Sequence, residues 1–412
     1  VALDAHDTIL AAASVPLPAP RRDGSAVDQD AGIWWQATQE CLRQLAPALH
    51  KEDRCFLAVD GTSGTLLLCE HDGSPRTPAL MYNDGRARDQ AARIAAIAPP
   101  ESAARGPWSG LAHYLWLREQ SATHEGLLAL HQADWIAGRL CGRFGDSDYN
   151  NALKLGYDPV AQQWPGWLED LGVHGESLPR IHAPGTPVGT LATDVAEQLR
   201  LPPGTTIVTG TTDSVAAFVA AGAHSVGEGV TALGSTLAIK LLCERPIHSA
   251  ADGVYSHRLG RYWLAGGASN SGGAVLLQYF SQQQLEEMTP RLDPDHPTGL
   301  DYYPLPRPGE RFPVNDPEWP PRMEPVPADP VVFFQGLLEG IAAIEQAGYR
   351  RLAELGAPAL RSVRTTGGGS HNPAWTRIRQ QRLGVPLLPA VSGESAYGAA
   401  RIAGGLVQKQ LQ

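Results

Sequence analysis

The chain has 412 residues, 43% of them hydrophobic and 18% charged, with a formal net charge of −10. That length asks for two domains, each large enough to bury its own core, and that composition excludes a disordered or fibrous chain. The acidic balance argues against a nucleic-acid partner, which selects basic patches. It leaves room for a phosphate ligand held by backbone N–H groups and Mg²⁺. Cys41, Cys55, Cys69, Cys141 and Cys243 form no CxxC pair and read as reduced thiols of a cytoplasmic protein. No apolar run is long enough to predict a transmembrane helix, and no basic run followed by an apolar core predicts a secretory signal.

In chain order, Val1–Asp4 and His6–Leu10 read as the second strand of a hairpin, a turn and a third strand, so a segment is expected ahead of Val1. Residues Asp30–Leu49 carry apolar side chains at helical spacing. Phe56–Asp60 is a short strand that stops at Gly61-Thr62-Ser63-Gly64, and Leu66–Cys69 is a second one closed by a turn cluster. Leu111–Trp116 and Leu127–Leu140 are predicted helices. Pro179–Pro203 reads as a connector with short elements, Thr206–Thr209 as a strand, Gly210–Asp213 as a turn and Ser214–Ala223 as an apolar helix. The pattern then restarts, with strands at Val230–Leu233, Leu237–Leu242 and Tyr262–Ala265 and a helix at Gly272–Tyr279. Gln283–Ala328, rich in Pro and charge, is expected to be an irregular surface excursion. Val331–Leu355 is a helix, Ser362–Thr366 a strand and Gly367–Ser370 a loop. Pro373–Leu383 is a helix with Pro in its favoured first position, and Glu394–Ile402 a helix of small residues.

Four places carry chemistry. Asp213 stands before an apolar helix, where a carboxylate is either an N-cap or a dipole-supported general base, and the two roles are compatible. Asp60, Ser63, Asp84 and Arg86 lie near two strand ends and offer the mixed donors and acceptors a polyhydroxylated ligand needs. Asp84 and Arg86 are equally readable as a solvated surface pair. Gly234-Ser235-Thr236 between two strands is an ordinary hairpin turn or a phosphate-binding one. Gly367-Gly368-Gly369-Ser370-His371-Asn372 between a strand and a helix allows close backbone approach to an anion, or is simply a tight turn. It is neither GxGxxG nor a P-loop.

Together, and in this order, these motifs resemble the FGGY carbohydrate kinase family over essentially the whole chain. Gly210–Ala217 looks like the family's catalytic Asp segment, Leu233–Thr236 its second phosphate motif, and Thr366–Asn372 its adenosine motif. Leu115–Gln120 fits the core of the family signature, and Asp146–Ala152 resembles the segment closing the first-domain helical insert. The resemblance implies an α/β fold of two actin-like (ribonuclease-H-like) domains with an interdomain cleft, a sugar-binding domain over 1–223 and a nucleotide-binding domain over 224–412. It implies ATP and Mg²⁺ as cofactors, with Asp213 as base. Asp60, Ser63, Asp84, Arg86 and Asp213 would contact sugar. Gly234, Ser235, Thr236, Gly272, Gly273, Gly368, Gly369 and Asn372 would contact nucleotide. Metal ligands are not identified, and a homodimer is compatible with this reading.

Some positions depart from the family pattern. His113 replaces a common Lys, Tyr82-Asn83-Asp84-Gly85-Arg86 replaces Trp-x-Asp-x-Arg, and Thr62-Ser63-Gly64 replaces the Met-His-Gly of xylulokinases. With Asp148-Tyr149-Asn150-Asn151, the last change looks more like the D-ribulose kinase-like branch. The expected activity is ATP-dependent phosphorylation of a terminal hydroxyl of a ketopentose, D-ribulose first. The alternatives are D-xylulose, or a non-catalytic or ATP-hydrolysing protein of the same fold. Family members begin with a strand ending in Asp-x-Gly-Thr-Ser. No such strand precedes Val1, so this first strand is expected in a preceding segment.

Overall fold

The computed structural model describes residues 1–120 and 126–405. They form two compact units, one of residues up to 220 joined by 394–405, the other of residues 221–393.

The first unit contains a five-stranded antiparallel sheet, in the order Arg21–Asp23, Ala26–Gln29, Ala79–Leu80, Leu66–Cys69, Leu128–His131. Its remaining strands form short separate ladders. Phe56–Leu57 pairs in parallel with Thr206–Val208, and Asp60–Gly61 in parallel with Thr211–Thr212. Ala2–Leu3 and Ile9–Ala11 form the expected hairpin. The stretch Phe56–Asp60, expected as one strand, is thus two short strands. Leu127–Leu140, expected as one helix, is the strand Leu128–His131 followed by the helix Gln132–Cys141. An apolar run has no readable period when all its side chains are buried, and here the pairing with Leu66–Cys69 decides.

The second unit is organised on one six-stranded mixed sheet, in the order Tyr255–Leu259, Tyr262–Ser269, Leu237–Cys243, Glu228–Leu233, Ser362–Thr366, Leu387–Pro389. The first four strands are antiparallel and the last two join in parallel. Tyr255–Leu259 is a strand that the sequence did not announce. The 25-residue helix Pro330–Glu354, capped by Asp329, packs its apolar stripe on this sheet, with Leu337, Leu338 and Ile341 fully buried.

The Pro-rich stretch differs from expectation. It begins with a helix, Gln282–Met288, capped by Ser281, and it then sends Tyr302, Leu305 and Phe312 into the core. Phe312 seats against Gly267, where a β-carbon would stand 2.5 Å from its ring. The segment is irregular because its backbone bonds are scattered bridges, not because it lies outside the core. By its contacts the helix Ser395–Ala403 groups with the first unit. A β-carbon at Gly398 would stand 1.9 Å from the carbonyl oxygen of Ala216, so glycine there allows the backbones to touch.

Candidate functional site

In the first unit the paired strands Asp60–Gly61 and Thr211–Thr212 deliver two loops side by side. One is Thr62–Thr65; the other is the start of the helix Asp213–Ala221, whose first residue is Asp213. Asp213 is half-buried, and its Oδ1 accepts a 2.6 Å bond from the Ser214 N–H. It therefore sits inside the first turn rather than at the cap, where the positive end of the helix still favours a carboxylate. The Thr62–Thr65 loop is tied down by its own hydroxyls: Thr62 Oγ1 and Thr65 Oγ1 lie 2.5 Å apart, and Thr65 Oγ1 accepts from the Tyr82 N–H. Within this tethered loop the Ser63 hydroxyl is enclosed and has no protein partner among the described residues. An enclosed hydroxyl without a partner is costly, so it calls for a ligand or a water. Asp60 hydrogen-bonds Ser395, and burial pushes its carboxyl above the usual range.

Asp84 and Arg86 are not a solvated pair. Asp84 is fully buried. Its Oδ2 accepts from the Val27 N–H at 2.6 Å and from Arg86 Nη2 at 2.7 Å, and its Oδ1 accepts from the Arg86 N–H at 3.0 Å. Arg86 Nη2 also reaches Asp28 Oδ2 at 2.9 Å, and the guanidinium lies over Trp116, 4.5 Å from the ring centre. Asp84 thus holds Arg86 in place. The sequence reading missed Asp28, a second carboxylate on the same guanidinium; the residues lie 58 apart and no local signal links them.

His113 links this group to the Ser63 loop. Its Nδ1 lies 2.9 Å from the Gly64 carbonyl oxygen and its Nε2 3.2 Å from that of Asp84. Burial pushes its pKa down, and these two carbonyls partly oppose the shift. A neutral ring donates to one carbonyl only, and Gly64 is the nearer. Asp148 is buried as well. Burial, then the neighbouring Asp134, push its carboxyl up to about 7, while the Asn150 and Asn151 N–H groups donate to it. Asn150 Nδ2 donates to Thr211 Oγ1 at 3.0 Å, fixing the strand that leads into Asp213.

In the second unit, Gly234, Ser235, Gly273, Gly368, Gly369 and Asn372 line one pocket of about 610 Å³. Its size is ordinary for a small-molecule site. Leu276, Leu285, Phe334 and Leu338 give it an apolar wall, and no Lys or Arg lines it. Thr236 closes the hairpin turn, its carbonyl accepting the Gly234 N–H at 3.2 Å. Gly272 lies under that turn with φ at +146°; a β-carbon there would stand 2.8 Å from the Ser235 carbonyl oxygen. Space beyond Gly368 is open, as a ligand-facing backbone requires. The Asn372 amide is engaged at both ends, capping the helix Pro373–Leu383 through the Trp375 N–H and donating to Thr289 Oγ1. Its side chain therefore builds the wall. Among the described residues no group of three His, Cys, Asp or Glu converges to hold a metal, and no helix is long and apolar enough to cross a membrane.

Comparison with known proteins fits this layout. The family model for the N-terminal domain of the FGGY family of carbohydrate kinases matches residues 1–220, and the model for its C-terminal domain matches residues 223–405. The chain belongs to the FGGY family of carbohydrate kinases. It is 22% identical to a xylulose kinase of Escherichia coli over 431 residues, covering 98% of this chain and 86% of that protein. It is 26% identical to a xylulose kinase of Streptomyces rubiginosus over 250 residues, covering 57% of this chain; the match spans 50% of that relative's length. Its fold is that of the "xyloylose kinase" of Brucella ovis, with a TM-score of 0.89 at 21% identity, covering 99% of this chain and 87% of that one.

Proposed function

We propose that the protein transfers the γ-phosphoryl group of ATP to a terminal hydroxyl of a ketopentose, D-ribulose first. The observation that carries this reading is the second-unit pocket, where two glycine turns distant in sequence open onto one apolar-walled space. In this reading Gly234, Ser235 and Gly273 meet phosphates, and Gly368, Gly369 and the wall at Asn372 meet adenosine. The residues present fit a nucleotide that arrives with its own Mg²⁺: no Lys or Arg lines the pocket and no acidic cage stands among the described residues, so Mg²⁺ would supply charge neutralisation on the phosphates.

On the sugar side, the Ser63 hydroxyl and the exposed edge of Arg86 offer hydrogen bonds to the ketose, with Asp60 on the strand that leads into the Ser63 loop and Asp84 as the support of Arg86. Asp213 accepts the proton of the attacking hydroxyl as its oxygen bonds to the γ-phosphorus and the bond to ADP breaks. The Ser63 loop, in place of Met-His-Gly, favours D-ribulose. The xylulose kinases among the relatives favour D-xylulose, which is the second reading.

The test is ADP release by the full-length gene product with MgATP and a panel of ketoses and polyols. Turnover dependent on a ketopentose supports the reading; preference for glycerol, or ATP hydrolysis indifferent to sugar, overturns it. Asp213→Ala is expected to lower kcat about 10²–10⁴-fold. Full activity in that variant removes Asp213 as the base.

A further inference from the structure

The Pro-rich stretch of the second unit has a buried centre that nothing above accounts for. Glu310 is 2% exposed. Its Oε2 accepts from Ser269 Oγ at 2.6 Å and from the Tyr303 hydroxyl at 3.0 Å; its Oε1 accepts from the N–H groups of Asn270 at 2.7 Å and Arg311 at 2.8 Å. Its neighbours grip the same turn. The Gly309 carbonyl accepts from Asn270 Nδ2 at 2.9 Å, and Arg311 Nη2 donates to the Ser269 carbonyl at 3.3 Å. The Glu310 backbone is itself fixed by a reciprocal pair of bonds with Asp316. Burial, and Glu310 beside it, push the Tyr303 phenol upward, so it stays a donor.

The gripped turn leads straight to the pocket. Ser269 Oγ, held by Glu310, accepts the Ser271 N–H at 2.9 Å. The Ser271 carbonyl accepts from the Leu237 N–H at 2.7 Å. Gly273 N–H donates to the Gly234 carbonyl at 2.9 Å and Ala274 N–H to that of Ser235 at 3.1 Å. Gly272, between them, holds a backbone conformation that only glycine tolerates and lies against the hairpin turn. One carboxyl group therefore stands at the root of a hydrogen-bond chain whose far end is the pocket wall of Gly234, Ser235 and Gly273. A buried acceptor with four matched donors fixes an orientation, which apolar packing of the same volume does not.

We propose that Glu310 is a positioning residue for the nucleotide: it sets the turn Ser269–Gly273, and through that turn the phosphate-side wall of the pocket. The proposal rests on the nucleotide reading given above. It also gives the Pro-rich stretch a role, as the strap that carries this carboxyl group back to the pocket.

The test uses Ser269→Ala, Glu310→Ala and Glu310→Gln in the full-length protein. ADP affinity is read from intrinsic tryptophan fluorescence, since Trp375 lines the pocket, and KM is measured for ATP and for sugar. Ser269→Ala and Glu310→Ala are expected to weaken ADP binding and raise the KM for ATP by about tenfold to 10²-fold, the scale of a small misplacement, with the KM for sugar within about twofold. Glu310→Gln keeps the size and the acceptor facing Asn270 and Arg311, and is expected to recover most of the affinity.

Ser269→Ala and Glu310→Ala proteins that fold and bind ADP like the parent overturn the proposal, as does an equal loss on the sugar side. If Glu310→Ala does not fold, Ser269→Ala decides the matter. A parent protein that binds no nucleotide overturns the reading of the pocket itself, which is a different result from a parent that binds and variants that do not differ.

Discussion

Each unit contains an arginine held by buried carboxyl groups, and the two are finished differently. In the second unit Arg379 and Glu345 are both buried. Arg379 Nε and Nη2 meet the two Glu345 oxygens at 2.6 and 2.7 Å, Nη1 donates to Thr365 Oγ1, and Thr231 Oγ1 donates to Glu345. All three guanidinium nitrogens are engaged, and the group joins two helices to two neighbouring strands. In the first unit Arg86 is bound by Asp84 and Asp28, yet 19% of its side chain is exposed and Nη1 takes part in none of these bonds. The sealed pair is a joint. The half-open one is a joint that also presents an edge, as a ligand contact must. The sheets repeat the contrast: six continuous strands in the second unit, short ladders around Asp60 and Thr211 in the first.

The sharpest way to break this comparison is Arg379→Ala. It leaves Glu345 buried without its partner, and a loss of about 3–5 kcal/mol in urea unfolding is expected. A variant as stable as the parent shows that the sealed pair is not a joint.

A smaller effect tests the first unit. The folded state holds the Asp148 proton to about pH 7, whereas an unfolded Asp releases it near its ordinary value of 3.8. The raised carboxyl therefore favours the fold most at low pH, and that contribution is lost as pH rises through 7. Between pH 5 and 8 the parent should lose about 3 kcal/mol relative to Asp148→Asn. Asn keeps the Oδ1 acceptor, and the Asn151 amide can turn to offer its unpartnered Oδ1. Parallel pH profiles for the two proteins remove Asp148 as a buried neutral acid.

Smallest of all is Arg21→Ala. Arg21 also bonds Asp28, but its side chain is 71% exposed, and no measurable shift in Tm is expected. A clear drop shows that the outer arginine shares the work assigned to Arg86.

The sequence showed most clearly what chain-local chemistry determines. The strand Ser362–Thr366 and the helix Pro373–Leu383 begin and end where turn glycines, a proline and an Asn cap say they should. The helix Pro330–Glu354 follows from its apolar stripe. Leu128–His131 was read as helix because an apolar run buried on every side carries no period. The glycine turns were visible as motifs, but that they share one pocket was not, since that depends on which strands become neighbours. Asp28 and Glu310 were invisible for the same reason: their partners lie 58 and about 40 residues away. The solvated-pair reading of Asp84 failed because charge in a sequence says nothing about depth.

The helix Ser395–Ala403 has a consequence for how the chain is made. Arg401 donates to Asp7 and to the Val219 carbonyl, Tyr397 donates to the Asp7 carbonyl, and Ser395 holds Asp60. The first unit is thus closed by residues that leave the ribosome only after the whole of 221–393 has been translated. The second unit is one uninterrupted stretch of chain and can complete its fold during synthesis. The first must wait, with Asp7 and Asp60 lacking these partners, until the helix Ser395–Ala403 arrives.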